Sequence, residues 1–112
     1  MNEKDKLHLR AVILEKLAAL TEENRLGQEA QAVVTLDQQA VGRLSRMDAL
    51  QSQAMAKANQ TRRDALAKAL EAALARINTE DFGYCEDCGE EIALKRLEFD
   101  PAALRCISCA AG

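Results

Sequence analysis

Two cysteine pairs, Cys85-Glu86-Asp87-Cys88 and Cys106-Ile107-Ser108-Cys109, stand seventeen residues apart near the C-terminus and hold all four cysteines of the chain. A C-x2-C, spacer, C-x2-C pattern lets two tight turns bring four sulfurs to the corners of a tetrahedron about 2.3 Å from one zinc ion. Gly89, directly after the second cysteine, adds to the pattern, because a turn around a metal leaves little room for a side chain at that position. Four thiolates fill the coordination shell of zinc, so no position remains for an activated water and a hydrolytic enzyme is not expected. The expected role is a staple that folds residues 80–112, since zinc-finger peptides gain roughly 10 to 16 kcal/mol from the metal. An iron centre for electron transfer and a thiol switch use the same ligands. Neither has supporting residues, because no Lys or Arg adjoins the first pair.

The rest of the chain has the composition of long helices. Among 112 residues the aromatics are Phe82, Tyr84 and Phe99, with no Trp, one Pro and five Gly, so large side chains for a globular core are scarce. Leu7, Ile13, Leu14, Leu17 and Leu20 recur at helical spacing in a segment from Glu3 to Leu36 that has no Pro. Asn24, Gly27 and Gln31 interrupt the apolar stripe, which predicts a weaker or bent stretch there. Ser45 and Asp48 have the spacing of a cap and a first-turn acid, marking the start of a second helix through Met55, Leu66, Leu70, Leu74 and Ile77 to Asn78. The linker between them, Asp37 to Leu44 with Gly42, is short, and short helix–helix linkers make antiparallel neighbours. The expected fold is mainly α: a long antiparallel hairpin or coiled coil over residues 1–79, its tip at 37–48, followed by a small four-cysteine zinc-finger module over 80–112. Helices of this size are about 50 Å long at 1.5 Å per residue.

The formal charge is -3; counting each bound thiolate as -1 and the zinc as +2 takes it to -5. Such a chain is poorly suited to neutralising many phosphates, so a protein partner is favoured over DNA and no direct sequence-specific DNA binding is expected. No run approaches the roughly 20 apolar residues of a membrane span, and the opening Met1-Asn2-Glu3-Lys4-Asp5-Lys6 has no apolar stretch of a signal peptide. A cytoplasmic location is expected, where clustered cysteines are metal ligands rather than disulfides. His8 has no cysteine or histidine near it in sequence and reads as a surface residue, and Arg62-Arg63 as a solvated pair.

The residues Phe82-Gly83-Tyr84-Cys85, Cys88-Gly89, Ile92, Arg96-Leu97, Pro101 and Cys106-Ile107-x-Cys109, placed after a helical hairpin, closely resemble the DksA/TraR family of bacterial transcription regulators. The resemblance implies a non-enzymatic zinc protein that binds RNA polymerase and inserts its coiled-coil tip through the secondary channel toward the catalytic centre. In the family's best-known members the tip carries Asp-x-x-Asp-x-Ala. Counted back without gaps from the first cysteine, those three positions are Gly42, Ser45 and Met47 here, so their identities do not carry over. The nearest charged groups are Asp37, Arg43, Arg46 and Asp48, which with Ser45 make up the candidate partner-binding tip. Two readings of Ser45 and Asp48 stand side by side: helix capping alone, or contact with the partner. Family members also bind the alarmone ppGpp with basic residues at the polymerase interface. The matching positions are Ala69, Asp100 and Ala110, with only Arg62 retained, which implies a weak response or none. The rival to polymerase binding is a structural or adaptor module that kept this scaffold for another protein.

Overall fold

The structure, a computed structural model, describes the backbone of residues 1–41 and 46–111 and the side chains of residues 1–29 and 47–111. Four helices follow one another: α1 (Glu3–Val41), α2 (Arg46–Arg76), α3 (Leu94–Phe99) and α4 (Ile107–Ala111). The fold is mainly α, an antiparallel helical hairpin followed by a small four-cysteine module. Its one β feature among the described residues is an isolated antiparallel bridge between Tyr84 and Glu91. No helix among the described residues is long and apolar enough to cross a membrane.

Asn2 opens α1, its side-chain oxygen accepting the Asp5 amide at 2.7 Å, with Glu3 and Asp5 in the first turn where the helix field favours negative charge. The segment Asp37-Gln38-Gln39-Ala40-Val41, expected as linker, is helical. It holds no Gly or Pro, the residues least compatible with a helix interior, and the next of these along the chain is Gly42. The turn expected at Gly42, and the Ser45 cap, lie outside the described residues. The second helix ends at Arg76, two residues before the expected Asn78: the Thr79 amide and hydroxyl both donate to the Arg76 carbonyl, at 2.8 and 2.7 Å, and close the last turn.

The chain divides into two compact units, one of Met1–Leu17 with Lys68–Gly112 and one of Ala18–Ala67. The first holds most of the core. Leu9 and Ile13 from α1, Leu70, Ala73 and Ile77 from α2, and Phe82, Ile92, Leu97 and Pro101 from the module are all buried. Leu7 and Leu14, expected on the packed stripe, are 67% and 47% exposed, whereas Leu9, not expected there, is fully buried. Both sets have helical spacing, and the buried face carries Leu9 and Ile13.

In the second unit Leu20 is buried and Ala56 and Ala67 are half-buried, and polar residues share the described part of the seam. Asn24, Gly27, Gln60 and Arg63 are all half-buried. Arg63 Nε donates to Asn24 Oδ1 at 2.7 Å, and Gln60 Nε2 reaches the same oxygen at 3.2 Å. Arg63 Nη2 donates in turn to Gln60 Oε1 at 2.9 Å. A Cβ on Gly27 would sit 3.2 Å from Arg63 Nη2, so the glycine that weakens the helix also makes room for the guanidinium. Met55, expected among the core residues of this half, is 67% exposed.

Removing one partner strands the others, while replacing the cluster with apolar groups removes the need for them. Arg63→Ala is expected to lower stability by about 1 kcal/mol, and the double change Asn24→Leu, Arg63→Leu to raise the melting temperature above wild type. Thermal melts followed at 222 nm check both; a cluster without energetic weight would leave Arg63→Ala unchanged.

Candidate metal centre

Two short backbone devices build the cysteine cluster. In the first, Cys85 and Gly89 close a turn, the Gly89 amide donating to the Cys85 carbonyl at 2.9 Å and the Cys85 amide to the Glu90 carbonyl at 2.8 Å. Gly89 has φ +75°, a left-handed conformation that side chains disfavour, yet a Cβ there would meet nothing within 4 Å. The requirement for glycine is thus one of backbone conformation rather than of space. In the second, Cys106 immediately precedes α4, whose Ala110 amide donates to the Cys106 carbonyl at 2.9 Å. Cys109, three residues on, then falls on the same helix face as Cys106.

The two knuckles are tied together by the Glu86 amide donating to the Leu104 carbonyl at 2.8 Å. The earlier part of the module is fixed by Gly83, at φ +91°, whose carbonyl accepts the Ile92 amide at 2.7 Å. Between the knuckles, α3 buries Leu97 and ends where the Asp100 amide donates to the Arg96 carbonyl at 2.7 Å, just before Pro101. Proline favours the extended backbone that Asp100 adopts, with φ -136° and ψ 83°.

The four sulfurs of Cys85, Cys88, Cys106 and Cys109 lie within 4.8 Å of one another. Cys88 Sγ and Cys106 Sγ are 3.8 Å apart. A tetrahedron with zinc–sulfur bonds of about 2.3 Å has sulfur–sulfur edges of about 3.8 Å, so the spacing suits zinc. Cys85 is buried, Cys106 and Cys109 half-buried and Cys88 exposed.

Electrostatics make the same case for a cation. The Cys85 thiol is lowered to about 6, chiefly by the Cys106 backbone amide and then by those of Cys88 and Asp87. Cys109 is raised to about 12 by the neighbouring Cys106, Cys85 and Cys88 side chains. Cys88 is pulled down by the Glu90 amide, but the Cys85 side chain, burial and Cys106 outweigh that and leave it above its ordinary value. Four negative sulfurs this close repel one another, and a divalent ion removes the repulsion. Bound zinc supplies a four-way crosslink, and with all four positions taken by sulfur its role is structural.

Of the tip residues, Asp37 lies within the last turns of α1 and Arg46 begins α2, without described side chains; Arg43 and Ser45 lie outside the described residues. Asp48 is in the first turn of α2 and exposed, next to Met47 at 76% exposure and close to Leu50 at 60%. His8, expected at the surface, is 53% exposed and lies 3.3 Å from the Glu98 carboxylate. Arg105 went unnoticed in the sequence: its guanidinium meets Glu86 and Asp87 between the first two ligands, at 3.3 and 3.2 Å. Its position directly before Cys106 was the available signal.

A helical hairpin followed by four convergent cysteines is the arrangement of a C4 zinc-binding protein. Residues 80–112 match the family model of the prokaryotic dksA/traR C4-type zinc finger. The RNA polymerase-binding transcription factor DksA of Haemophilus influenzae is 51% identical over 51 residues, which are 46% of this chain and 35% of that protein. DksA of Escherichia coli K12 is 49% identical over 51 residues, 46% of this chain and 34% of that protein. The match thus spans about a third of the length of these curated relatives. Transcription factor DksA2 from Pseudomonas aeruginosa has a similar fold, with a TM-score of 0.85 over 99% of this chain and 84% of that one, at 21% identity.

One zinc per chain is expected by elemental analysis, with Cys85→Ser losing the metal and the order of residues 80–112. Zinc displaces thiol protons, from Cys88 and Cys109 at least, so affinity rises with pH, by about a hundredfold per unit if two protons leave. Chelator competition between pH 6 and 8 measures the slope, and acid should release the metal.

Proposed function

We propose that this chain is a non-enzymatic, cytoplasmic regulator of transcription that binds RNA polymerase at its secondary channel through the hairpin tip. Residues 1–79 form the probe, with Asp37, Arg43, Ser45, Arg46 and Asp48 at the tip, and residues 80–112 the zinc-held base. The observation that carries this reading is the 51-residue match, at 51% identity, to a relative named as RNA polymerase-binding. The fold shared with DksA2 and the net charge of -3, unfavourable for binding bare DNA, support it.

The adaptor reading has one observation in its favour: the acidic tip motif of the best-known family members is replaced by Gly42, Ser45 and Met47. Purified polymerase separates the two. On the polymerase reading the zinc-loaded protein is retained by the enzyme and displaced by a secondary-channel factor; no retention at micromolar concentrations favours the adaptor. Asp48→Asn and Arg43→Ala are expected to keep polymerase binding and melting temperature near wild type while changing promoter output. If Asp48 serves only the helix start, output falls only in step with stability.

The alarmone ppGpp is expected to have little effect through this protein. Ala69, Asp100 and Ala110 offer no cation to a phosphate, and each missing charge-assisted contact forgoes about 1.5 to 3 kcal/mol. Transcription with and without the nucleotide tests this, and strong potentiation that depends on the protein would contradict it.

A further inference from the structure

The first knuckle is unusually acidic for a segment that must hold a negatively charged metal complex. Glu86, Asp87, Glu90 and Glu91 fall within the seven residues that begin at Cys85. Four thiolates around one zinc carry a net charge of two minus, so these carboxylates add like charge to the loaded site. Among the described residues two cations meet this group, the N-terminal ammonium, 3.9 Å from Glu91 Oε1, and Arg105. Its Nε lies 3.3 Å from Glu86 Oε1 and 3.2 Å from Asp87 Oδ2.

The same residue is held at both ends. Its backbone carbonyl accepts Arg96 Nε at 2.9 Å, which ties it to α3, and the adjacent Leu104 carbonyl accepts the Glu86 amide at 2.8 Å. The chain entering Cys106 is therefore fastened to α3 through Arg96 and to the first knuckle by the Leu104 carbonyl and the Arg105 side chain. A shift of the second knuckle away from the first must break the last two together.

We propose that Arg105 is a positioning residue for the zinc site, which slows metal loss by clamping the two cysteine knuckles and offsetting the surplus negative charge. It touches no ligand sulfur in this role and acts through Glu86 and Asp87. Groups behind the ligands of a metal typically change affinity by about ten- to a hundredfold. The Arg105 side chain and its partners are about half exposed, which weakens the effect through solvent screening.

The test is the rate at which full-length, zinc-loaded protein gives its metal to excess chelator, read with a chromogenic zinc indicator. Arg105→Ala is expected to release zinc about three- to tenfold faster, starting from one zinc per chain. Arg105→Lys keeps the charge and should recover part of the difference; Arg105→Gln should not. Wild-type release should quicken with salt toward the Arg105→Ala rate, while the variant responds less. Hairpin stability, followed at 222 nm, should be unchanged before zinc leaves. A release rate for Arg105→Ala within twofold of wild type overturns the proposal. So does equal loss in the Lys and Gln variants, with a parallel fall in melting temperature, since that marks a general packing role.

Discussion

Four thiolates within 4.8 Å of one another repel, and a cation among them removes that repulsion and ties the two knuckles together. Residues 80–112 contain two short helices and one isolated β-bridge, too little hydrogen-bonded structure to hold a fold of this size. The metal supplies what a larger apolar core would otherwise provide. It also fixes where that small core can form. With the knuckles joined, Phe82, Ile92, Leu97 and Pro101 are buried in the unit that also contains Leu9, Ile13, Leu70, Ala73 and Ile77 of the two long helices. Of the residues that carry the DksA/TraR resemblance, Phe82, Gly83, Ile92, Leu97 and Pro101 are buried, whereas Tyr84, Gly89 and Ile107 are exposed.

The two long helices are held by different physics in different stretches. In the unit with the zinc module, aliphatic side chains fill the seam and contribute by removing apolar surface from water. In the unit of residues 18–67, Asn24, Gln60 and Arg63 meet across the seam, with Gly27 admitting the guanidinium. A polar contact of this kind adds less stability than Leu would, but it tolerates no slippage. Moving one helix by a turn leaves the Arg63 guanidinium and the Asn24 amide without each other. For a hairpin whose turn is proposed to reach a partner's site, a fixed register sets where Asp48 stands along α2 relative to α1. The exposed face uses charge pairing of a more ordinary kind, with Arg25 bridging Glu22 and Glu29 at 2.6 and 2.7 Å.

The helices, their antiparallel order and the zinc ligands were legible in the sequence because each depends on local features: helical spacing of apolar residues, a short linker and the interval between cysteines. The packed face was harder to read. Leu7 and Leu14 are seven residues apart, and so are Ile13 and Leu20, so periodicity offers two stripes of equal quality; Leu7 and Leu14 proved exposed and Ile13 and Leu20 buried. The end of α1 was misplaced because Asp37 looked like a linker residue, though nothing between it and Val41 breaks a helix.

By itself, then, the sequence determined that this is a helical protein with a four-cysteine zinc module, since covalent spacing and side-chain chemistry suffice for both. Tertiary structure alone decided that Leu9 is core and Leu7 is not, that Arg63 lies over Gly27, and that Arg105 faces the first knuckle. The physical reason is distance along the chain. Asn24 and Arg63 are 39 residues apart and Glu86 and Arg105 are 19, so neither pairing leaves a periodic or local trace. Each exists only because packing and metal binding bring remote segments to hydrogen-bonding range.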